Sequence, residues 1–386
     1  KTIVMLGLFF GPHAIIVSGI AGTSWLFWSM WLIMGVGLAG IGMSIMHDGN
    51  HGSYSSSKFI NNLMGLTLNL VGGSAKNWKI QHNRMHHTYT NVHEMDPDIS
   101  PLPMLRFSPK GKYYNFHKYQ HIYAWFFYGL LSFSWATVKE FIQLGKFKKD
   151  GLIKSDEYGL LMAEMVFWKV FYYGYMLVLP MMTLEISFGY WFLCFFSMHF
   201  IAGIILSTIF QTAHVMPDCD YPEPNEEGTI ENNWAIHQLQ TTTNYKSNKL
   251  LSWYVGGLNY QVEHHLFPTI CHVHYPALSK IVQRKAKEYN LPVIIHSRGA
   301  FNDTLNILVQ FDNGSSGVIA YYSNGSKSMK KEYIEVFSAG LSATLDDFKE
   351  LKIYSNGKPH KEKLFNQNKG QKEMISAFVN GLLEDG

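Results

Sequence analysis

Three short histidine-rich segments, HDGNH, QHNRMHH and QVEHH, carry the residue types best suited to chemistry in this chain of 386 residues. Together they hold seven imidazoles: His47, His51, His82, His86, His87, His264 and His265. Residues four apart lie on one face of an α-helix, so the first segment presents its two rings together and the second presents His82 with His86. His87 is rotated by about 100° and is predicted to reach a second ion. Imidazoles at this spacing indicate a metal site.

The number of nitrogen donors favours two metal ions over one. His214, in QTAH, adds an eighth imidazole, and Gln261 or His237 can supply a ninth ligand. Zinc usually takes four ligands, and a structural zinc site favours cysteine. A histidine-rich pair with open positions suits redox iron that handles dioxygen. Acidic neighbours such as Asp48 and Glu263 are expected to accept the second ring proton of a ligand.

The composition limits the classes of protein to which the chain can belong. The net charge of +3 is too small to indicate a nucleic acid partner. Hydrophobic residues make up 47% of the chain and the charges are concentrated in blocks, as expected when parts of the chain lie in lipid. The three cysteines are too scattered for a disulfide framework, so a reducing compartment is expected for the soluble parts.

Long apolar runs are predicted to hold the histidines at a membrane surface. At about 1.5 Å per helical residue, four runs are long enough for a hydrocarbon layer of roughly 30 Å: residues 3–20, 25–46, 166–184 and 189–210. Lys169, near the start of the third run, is expected to snorkel to the surface. The apolar residues 59–73 are too short to cross and should lie on the membrane. Because Lys1 leads straight into the first run without a basic leader, the sequence reads as truncated at its start.

The parity of the crossings places the histidine segments on one side. Four spans return the chain to the side where it began, so all three segments and His214 face one another. The turns at 21–24 and 185–188 contain no lysine or arginine, whereas the loop at 47–164 contains many. By the positive-inside rule that loop is cytosolic. The predicted architecture is mainly α, a four-span transmembrane helical fold with a cytosolic di-iron helical cap.

The second span contains GVGLAG, residues 35–40, which matches a dinucleotide-binding fingerprint letter for letter. That fingerprint requires a strand before it and a helix after it, within a βαβ unit. Here the glycines fall inside one apolar helix. Small residues let transmembrane helices approach closely, so close packing is the better interpretation.

Residues 1 to about 292 resemble a membrane fatty acid desaturase of the acyl-CoA or acyl-lipid type. HDGNH, HNRMHHTYTN and GLNYQVEHHLFP carry the resemblance, and Gln261 occupies a position where other branches have histidine, as in front-end desaturases and their bacterial relatives. The resemblance implies that eight imidazoles bind two non-haem irons, with Gln261 in or near the shell: His47, His51, His82, His86, His87, His214, His264 and His265. Histidines outside this set, such as His93 and His272, are expected in caps or surface packing.

The resemblance also implies a reaction and its partners. The enzyme would use dioxygen to introduce a cis double bond into a fatty acyl chain carried by CoA or a phospholipid. Electrons would come from a separate carrier of the cytochrome b5 or ferredoxin type. The protein would be a multi-pass integral membrane protein whose active site and C-terminal tail are cytosolic. A membrane hydroxylase or ketolase could use the same histidines, and a non-catalytic protein could bind metal through them structurally.

Beyond about residue 292 the chain changes character, and residues 293–386 are predicted to form a small soluble α+β fragment. The pattern predicts strands at 302–311, 317–323 and 332–337 and an amphipathic helix at 371–383. FDNGSSGVIAYYSNG, LDDFKEL and GQKEMISAFVNGLL resemble the C-terminal end of Gfo/Idh/MocA nicotinamide oxidoreductases. The sequence lacks their N-terminal glycine-rich nucleotide site, so the tail is predicted neither to bind NAD nor to supply a metal ligand. A nicotinamide-dependent sugar dehydrogenase is the alternative that the tail alone supports.

Overall fold

The computed structural model describes residues 1–22, 25–100, 103–227, 229–230, 233–289, 291–296, 305–310, 315–321, 332–338, 340–355 and 358–369. The chain divides into two compact units, Lys1–Phe301 and Asn302–Gly386. The helix predicted at 371–383 lies outside the described residues.

The first unit is helical. Its described residues form the following α-helices: α1 Thr2–Val17, α2 Trp25–Ile41, α3 His47–His51, α4 Lys58–Gly65, α5 Thr67–Leu70, α6 Ala75–Trp78, α7 Gln120–Ser134, α8 Glu140–Lys149, α9 Ser155–Tyr173, α10 Leu179–Thr183, α11 Phe188–His214, α12 Trp234–Thr241, α13 Lys249–Tyr254, α14 Gln261–Leu266 and α15 Tyr275–Glu288. Segments of π-helix join some of them: π1 Gly42–Met46, π2 Lys79–His86, π3 Trp135–Lys139 and π4 Gly174–Val178. Single 3₁₀ turns lie at Asn115–Tyr119 and His272–His274.

Within the described residues, three helical runs are long and apolar enough to cross a membrane. They are Trp25–His51, Ser155–Thr183 and Phe188–His214. They correspond to the second, third and fourth predicted spans. Helix α1 has 16 residues and is about 24 Å long, shorter than a hydrocarbon layer of roughly 30 Å. The first predicted crossing therefore stays a prediction.

The expectation that Lys169 snorkels to the surface is wrong. The run that contains it begins at Ser155, so Lys169 lies in the interior of the helix and is only 5% exposed. Its ammonium group contacts the buried Glu140 carboxylate at 2.7 Å and donates to the carbonyls of Gly72 and Trp135, both at 2.6 Å. The buried ion pair ties α9 to the start of α8, and the two hydrogen bonds tie α9 to π3 and to the loop before α6.

Glycines hold α2 close to both of its neighbours. A Cβ atom at Gly35 would lie 2.5 Å from the Met198 carbonyl oxygen of α11, and one at Gly37 would lie 2.7 Å from the backbone of Leu8 in α1. These separations are shorter than any van der Waals contact, so only glycine fits. The structure thus bears out the packing interpretation of GVGLAG, and α2 lies between α1 and α11.

The apolar core sits between these helices and delivers histidines at one end. Trp31 packs edge-on against Trp191 and Phe195, with ring centroids 6.4 Å and 6.3 Å apart. At the other end of the same helices, π1 leads directly into α3, and α11 ends at His214. Rigid apolar helices therefore fix the first histidine segment and His214 in position relative to each other.

Short strands complete the described residues. In the first unit, β1 Thr243–Tyr245 pairs in parallel with β2 Ile294–His296. In the second unit, β3 Leu305–Gln310 and β4 Ser316–Tyr321 form an antiparallel pair. A four-stranded antiparallel sheet follows in the order β5 Tyr333–Ser338, β6 Leu341–Asp346, β7 Glu350–Tyr354 and β8 His360–Lys363. Strands β3, β4 and β5 fall where the sequence predicted them, whereas β6 to β8 were not predicted.

Candidate metal centre

A first group of imidazoles brings the three histidine segments together. The ligand nitrogens of four rings lie within 4.8 Å of one another: His47, His51, His82 and His264. The first two lie one α-helical turn apart on α3, as expected, with ring centroids 4.7 Å apart. Segment π2 supplies the third ring and α14 the fourth. Residues more than 200 positions apart in sequence thus converge on one point.

A second group lies beside the first and contains His86, His214 and His265. Their ring centroids are 4.6 Å to 4.9 Å apart, and all three residues are buried. The end of π2, the last residue of α11 and α14 supply them. This confirms the expectation that His214 faces the histidine segments.

The sequence predicted that His82 and His86 share one helix face and that His87 reaches the second ion. This prediction is wrong, because the second segment is a π-helix. Hydrogen bonds in a π-helix join residues five apart, and the His87 amide accordingly donates to the His82 carbonyl at 3.0 Å. His82 and His87 therefore lie one turn apart, and the Nε2 atoms of the two rings are 3.3 Å apart. His86, not His87, points into the second group. His87 lies between the groups, since its Nε2 is 3.0 Å from that of His264 and its ring stacks on His265 at 4.3 Å.

Each ring of the second group uses its outer nitrogen for a fixed partner. Nδ1 of His86 donates to the Asp96 carboxylate, whose two oxygens are both 3.0 Å away. Nδ1 of His265 donates to the side-chain oxygen of Gln238 at 2.8 Å, and Nδ1 of His214 faces the Thr241 carbonyl at 3.3 Å. These partners hold a proton on each outer nitrogen, so each Nε2 faces inward and can bind a metal once it carries no proton of its own.

The inner nitrogens fit a metal. Within the described part of the chain, Nε2 of His86, His214 and His265 is buried and has no hydrogen-bond partner. A neutral imidazole has one N–H, so several ring nitrogens that meet at one point cannot all satisfy one another. The separations of 3.0 Å and 3.3 Å around His87 match the roughly 3.3 Å between ligand nitrogens in a tetrahedral site with metal bonds of about 2.0–2.1 Å.

Burial sets the charge of most of these rings. It lowers the pKa of His82, His87, His264 and His265 well below the ordinary value, and the neighbouring imidazoles lower it further. These rings are neutral at pH 7 and present lone pairs. Burial also lowers the pKa of His86, but the carboxylates of Asp96 and Asp98 outweigh it and raise that pKa to about 9.

The first group has looser outer partners. Nδ1 of His264 is 3.2 Å from the Tyr275 hydroxyl, and Nδ1 of His47 is 3.6 Å from the Asp48 carboxylate. Asp48 faces His47 but does not accept its ring proton as expected, since His47 Nδ1 has no hydrogen-bond partner among the described residues; the shortest contact of Asp48 is with His272. The expectation for Glu263 is wrong. Its carboxylate accepts from the Asn244 amide at 2.7 Å, which ties α14 to β1 instead of orienting a ring.

Two further predicted residues lie near the groups without joining their closest contacts. His237 donates from Nε2 to the Thr90 carbonyl at 2.8 Å, so that nitrogen is committed to the backbone of the second segment. Gln261 is buried at the first position of α14, one turn before His264. Its ligand role stays a prediction.

Sequence reasoning missed the residues that orient the second group. Asp96 and Gln238 are both completely buried, and the side-chain oxygen of Gln238 also accepts from the Thr90 hydroxyl at 3.0 Å. The only signal for Asp96 was the acidic run HEMDPD, residues 93–98, which is separated from the end of the second segment by five residues. Nothing in the sequence around Gln238 distinguishes it from neighbouring polar residues.

A small apolar cavity lies in the core near the first group. Its free volume of about 20 Å³ holds little more than one water-sized sphere. Leu38, Gly42 and Met46 line one wall at intervals of one helical turn, and Met46 directly precedes His47. Phe210 also lines the cavity, and its ring centroid is 6.4 Å from that of His82. Two lining residues, Met46 and Phe210, therefore place the cavity close to the first group.

Comparison with known proteins agrees with this arrangement. The model of the fatty acid desaturase family matches residues 23–297. The chain is 34% identical to an sn-1 linoleoyl-lipid 6-desaturase of Arthrospira platensis over 69% of this chain and 72% of that protein, and 34% identical to the same enzyme of Synechocystis sp. over 67% and 73%. An acyl-lipid (8-3)-desaturase of Physcomitrium patens is 37% identical over 75% of this chain and 58% of its own length. The chain therefore belongs to the fatty acid desaturase family, and it is an oxidoreductase that acts on fatty acyl chains.

Proposed function

We propose that this protein is a di-iron, dioxygen-dependent desaturase that introduces a cis double bond into an acyl chain of a membrane lipid. Two adjacent groups of buried imidazoles carry the proposal, because their ring nitrogens converge and, among the described residues, Nε2 of His86, His214 and His265 has no hydrogen-bond partner. The relatives named as lipid-linked desaturases favour an acyl-lipid over an acyl-CoA substrate. Neither the hydroxylase or ketolase reading nor the nicotinamide-dependent alternative has comparable support.

The ligand sets follow from the two groups. We assign His47, His51, His82 and His264 to one ion and His86, His214 and His265 to the other, with His87 and Gln261 completing the shells between them. Iron bound there supplies the dioxygen chemistry that removes hydrogen from an unactivated methylene pair. Burial keeps the rings of His82, His87, His264 and His265 neutral at pH 7. Asp96 and Gln238 hold the outer ring protons so that the inner nitrogens stay directed at the metal.

The apolar cavity is assigned to the acyl chain. An alkyl chain that enters it along the wall formed by Leu38, Gly42 and Met46 is brought beside the first group. Its walls are apolar apart from Ser132, so the chain displaces no tightly held water and is shielded from solvent. Because the cavity is narrower than an acyl chain, its walls must move apart when an acyl chain enters. The position of the new double bond then depends on how far the chain extends beyond the imidazoles.

We further propose four crossings, with the imidazole groups and the tail on the cytosolic side and electrons supplied by a separate carrier protein. Helix α1 packs along α2 through Gly37, which fits a transmembrane hairpin. The loop charges support the cytosolic placement of the imidazole groups, since the loop at 47–164 is rich in lysine and arginine.

Iron content and lipid products test the assignment together. Full-length protein should hold close to two irons, and His86→Ala or His264→Ala should lose iron and abolish double-bond formation. His93→Ala is the matched control, because His93 belongs to neither group within the described residues. Wild-type product yield in either ligand variant would refute the ligand set.

The C-terminal tail is proposed to be a separate domain without a part in the reaction. Strand β2 pairs with β1 inside the first unit, so a deletion should begin after residue 301 and not at 293. Protein truncated there should retain iron and desaturase activity at matched membrane abundance. An iron-loaded but inactive truncation, or micromolar NADH binding to the full-length chain measured by calorimetry, would contradict this proposal.

A further inference from the structure

Desaturation needs electrons that the buried imidazole groups cannot receive directly from a carrier. Each double bond balances as –CH2–CH2– plus O2, two protons and two electrons, giving –CH=CH– and two water molecules. The histidines nearest the proposed ions are almost fully buried, with His87 only 6% exposed and His265 completely buried. A one-electron carrier protein must therefore deliver two electrons in turn through a layer of protein. This inference rests on the proposed di-iron function.

Helix α12 carries an exposed tryptophan at its outer end. Trp234 is 46% exposed, and its indole nitrogen donates to the backbone carbonyl of His87 at 3.3 Å. A surface aromatic ring is thus one hydrogen bond from the backbone of a residue at the proposed metal centre. Tryptophan exposed in this way is also the residue type most enriched at binding hot spots.

Gln238, one turn further along the same helix, contacts His87 and the second group. The Gln238 amide donates to the same His87 carbonyl at 3.2 Å, and its oxygen accepts from Nδ1 of His265 at 2.8 Å. The His87 ring in turn lies 3.0 Å from His264, measured between the Nε2 atoms. The His87 carbonyl therefore connects Trp234 to the first group through the His87 side chain and to the second group through Gln238.

We propose that electrons enter the protein at Trp234, where a one-electron carrier protein docks, and pass through the His87 carbonyl to both ions. Electronic coupling falls steeply with distance and is stronger through covalent and hydrogen bonds than across a gap. The indole is neither oxidised nor reduced in this scheme. It brings the carrier close and provides the hydrogen-bonded connection. Trp234 is accordingly a positioning residue for electron delivery.

The test separates delivery by a protein from reduction by a small molecule. Full-length wild type, Trp234→Phe and Trp234→Ala are loaded with iron and mixed anaerobically with a reduced cytochrome b5 domain, a reduced [2Fe–2S] ferredoxin or dithionite. The ferrous fraction is followed by freeze-quench Mössbauer spectroscopy, and carrier binding is measured separately by calorimetry. Tyr289→Ala is the matched control, because Tyr289 is 72% exposed on the turn after α15 and, among the described residues, forms no hydrogen bond to either group.

Trp234→Ala is expected to slow reduction by the protein carrier by about tenfold or more and to weaken its binding. Reduction by dithionite, iron content and the rates of Tyr289→Ala should stay at the wild-type level.

Trp234→Phe keeps the ring but loses the N–H group, so carrier binding should be retained while reduction by the carrier slows. Equal slowing with dithionite and carrier would show a merely structural role and overturn the proposal. Carrier-dependent reduction of Trp234→Ala at the wild-type rate would also overturn the proposal. The same holds if dithionite reduces the wild-type protein and neither carrier protein does. A protein without iron would instead refute the proposed function.

Discussion

At the scale of single residues, the site is defined by the two ring nitrogens of His86, which lie in different surroundings. The outer nitrogen meets a carboxylate that is completely buried, and the inner nitrogen has no hydrogen-bond partner in the described part of the chain. An imidazole backed by a carboxylate is held in one tautomer and is a stronger base toward a metal. The backing residue is therefore as important to the centre as the ligand.

Replacing Asp96 by asparagine tests this role. The substitution keeps the shape but removes the charge, and the new amide can turn a donor toward the ring N–H. Iron affinity should fall by about 10-fold to 100-fold. Competition with a coloured chelator measures it. Asp218→Asn removes an exposed carboxylate, 64% accessible, and should leave the affinity unchanged; an Asp96→Asn affinity equal to that control would rule out the proposed role.

The raised pKa of His86 predicts a pH dependence of metal uptake. In the metal-free protein this pKa is about 9, above the ordinary value of about 6.5, so the ring is protonated at neutral pH. A metal must displace that proton. Affinity should therefore rise by about tenfold per pH unit between about pH 7 and pH 9, and then level off. Chelator competition across this range measures the slope. Asp96→Asn should lower the pKa and flatten the dependence below pH 9, whereas an equally steep slope in that variant would contradict the assignment to His86.

At the scale of elements, glycine determines how closely the helices approach. Gly37→Ala should destabilise the protein by about 1–3 kcal/mol, because its Cβ would lie 2.7 Å from the Leu8 backbone, which cannot move aside cheaply. Gly7→Ala is the control on the partner helix, since no atom lies within 4 Å of its Cβ position. It should be neutral or stabilise by up to about 1 kcal/mol. Thermal unfolding in one detergent compares them, and equal midpoints would contradict the packing interpretation.

The wall of the cavity offers a test of chain binding. Gly42→Leu places a side chain in a cavity that holds about one water-sized sphere, where even a Cβ would lie 3.3 Å from Leu206. Conversion of long acyl chains should fall by about 10-fold to 200-fold, with iron content retained. Gly174→Leu is matched, because no atom lies within 4 Å of that Cβ position. Fatty acid profiles of cells that express each variant measure the conversion. Unaltered conversion in Gly42→Leu would show that the acyl chain binds outside this cavity.

The positions of the long helices could be predicted from the sequence, whereas the arrangement of side chains within the helical segments could not. Apolar runs identified α2, α9 and α11, because hydrophobicity over a long window depends on composition alone. Segment π2 was not foreseen, since a π-helix has no compositional signature and the assumed α-helical spacing exchanged the roles of His86 and His87. The pairing of Gln238 with His265 depends on a contact between residues 27 positions apart, which no local pattern encodes.

For the whole molecule, the number of crossings determines whether the imidazole groups and the cytosol are on the same side. With the native cysteines replaced by alanine, single cysteines at Thr23 and Ser187 should be labelled only from the exoplasmic side. One at Lys148 should be labelled only from the cytosol. The reason is crossing parity together with the distribution of lysine and arginine. A membrane-impermeant maleimide applied to intact and permeabilised cells measures both, and labelling of position 148 in intact cells would overturn the four-span arrangement.

The π-helical form of the second histidine segment also bears on how such a sequence can change by descent. Hydrogen bonds in a π-helix join residues five apart and those in an α-helix join residues four apart, so each turn of residues 79–86 holds more residues than an α-helical turn would. Loss of one residue here would restore α-helical spacing and turn His86 and His87 away from their present groups. A surface loop tolerates such a deletion, but here it would separate the ligands of both ions at once. Length variants among descendants of this chain should therefore accumulate in its loops and spare this segment.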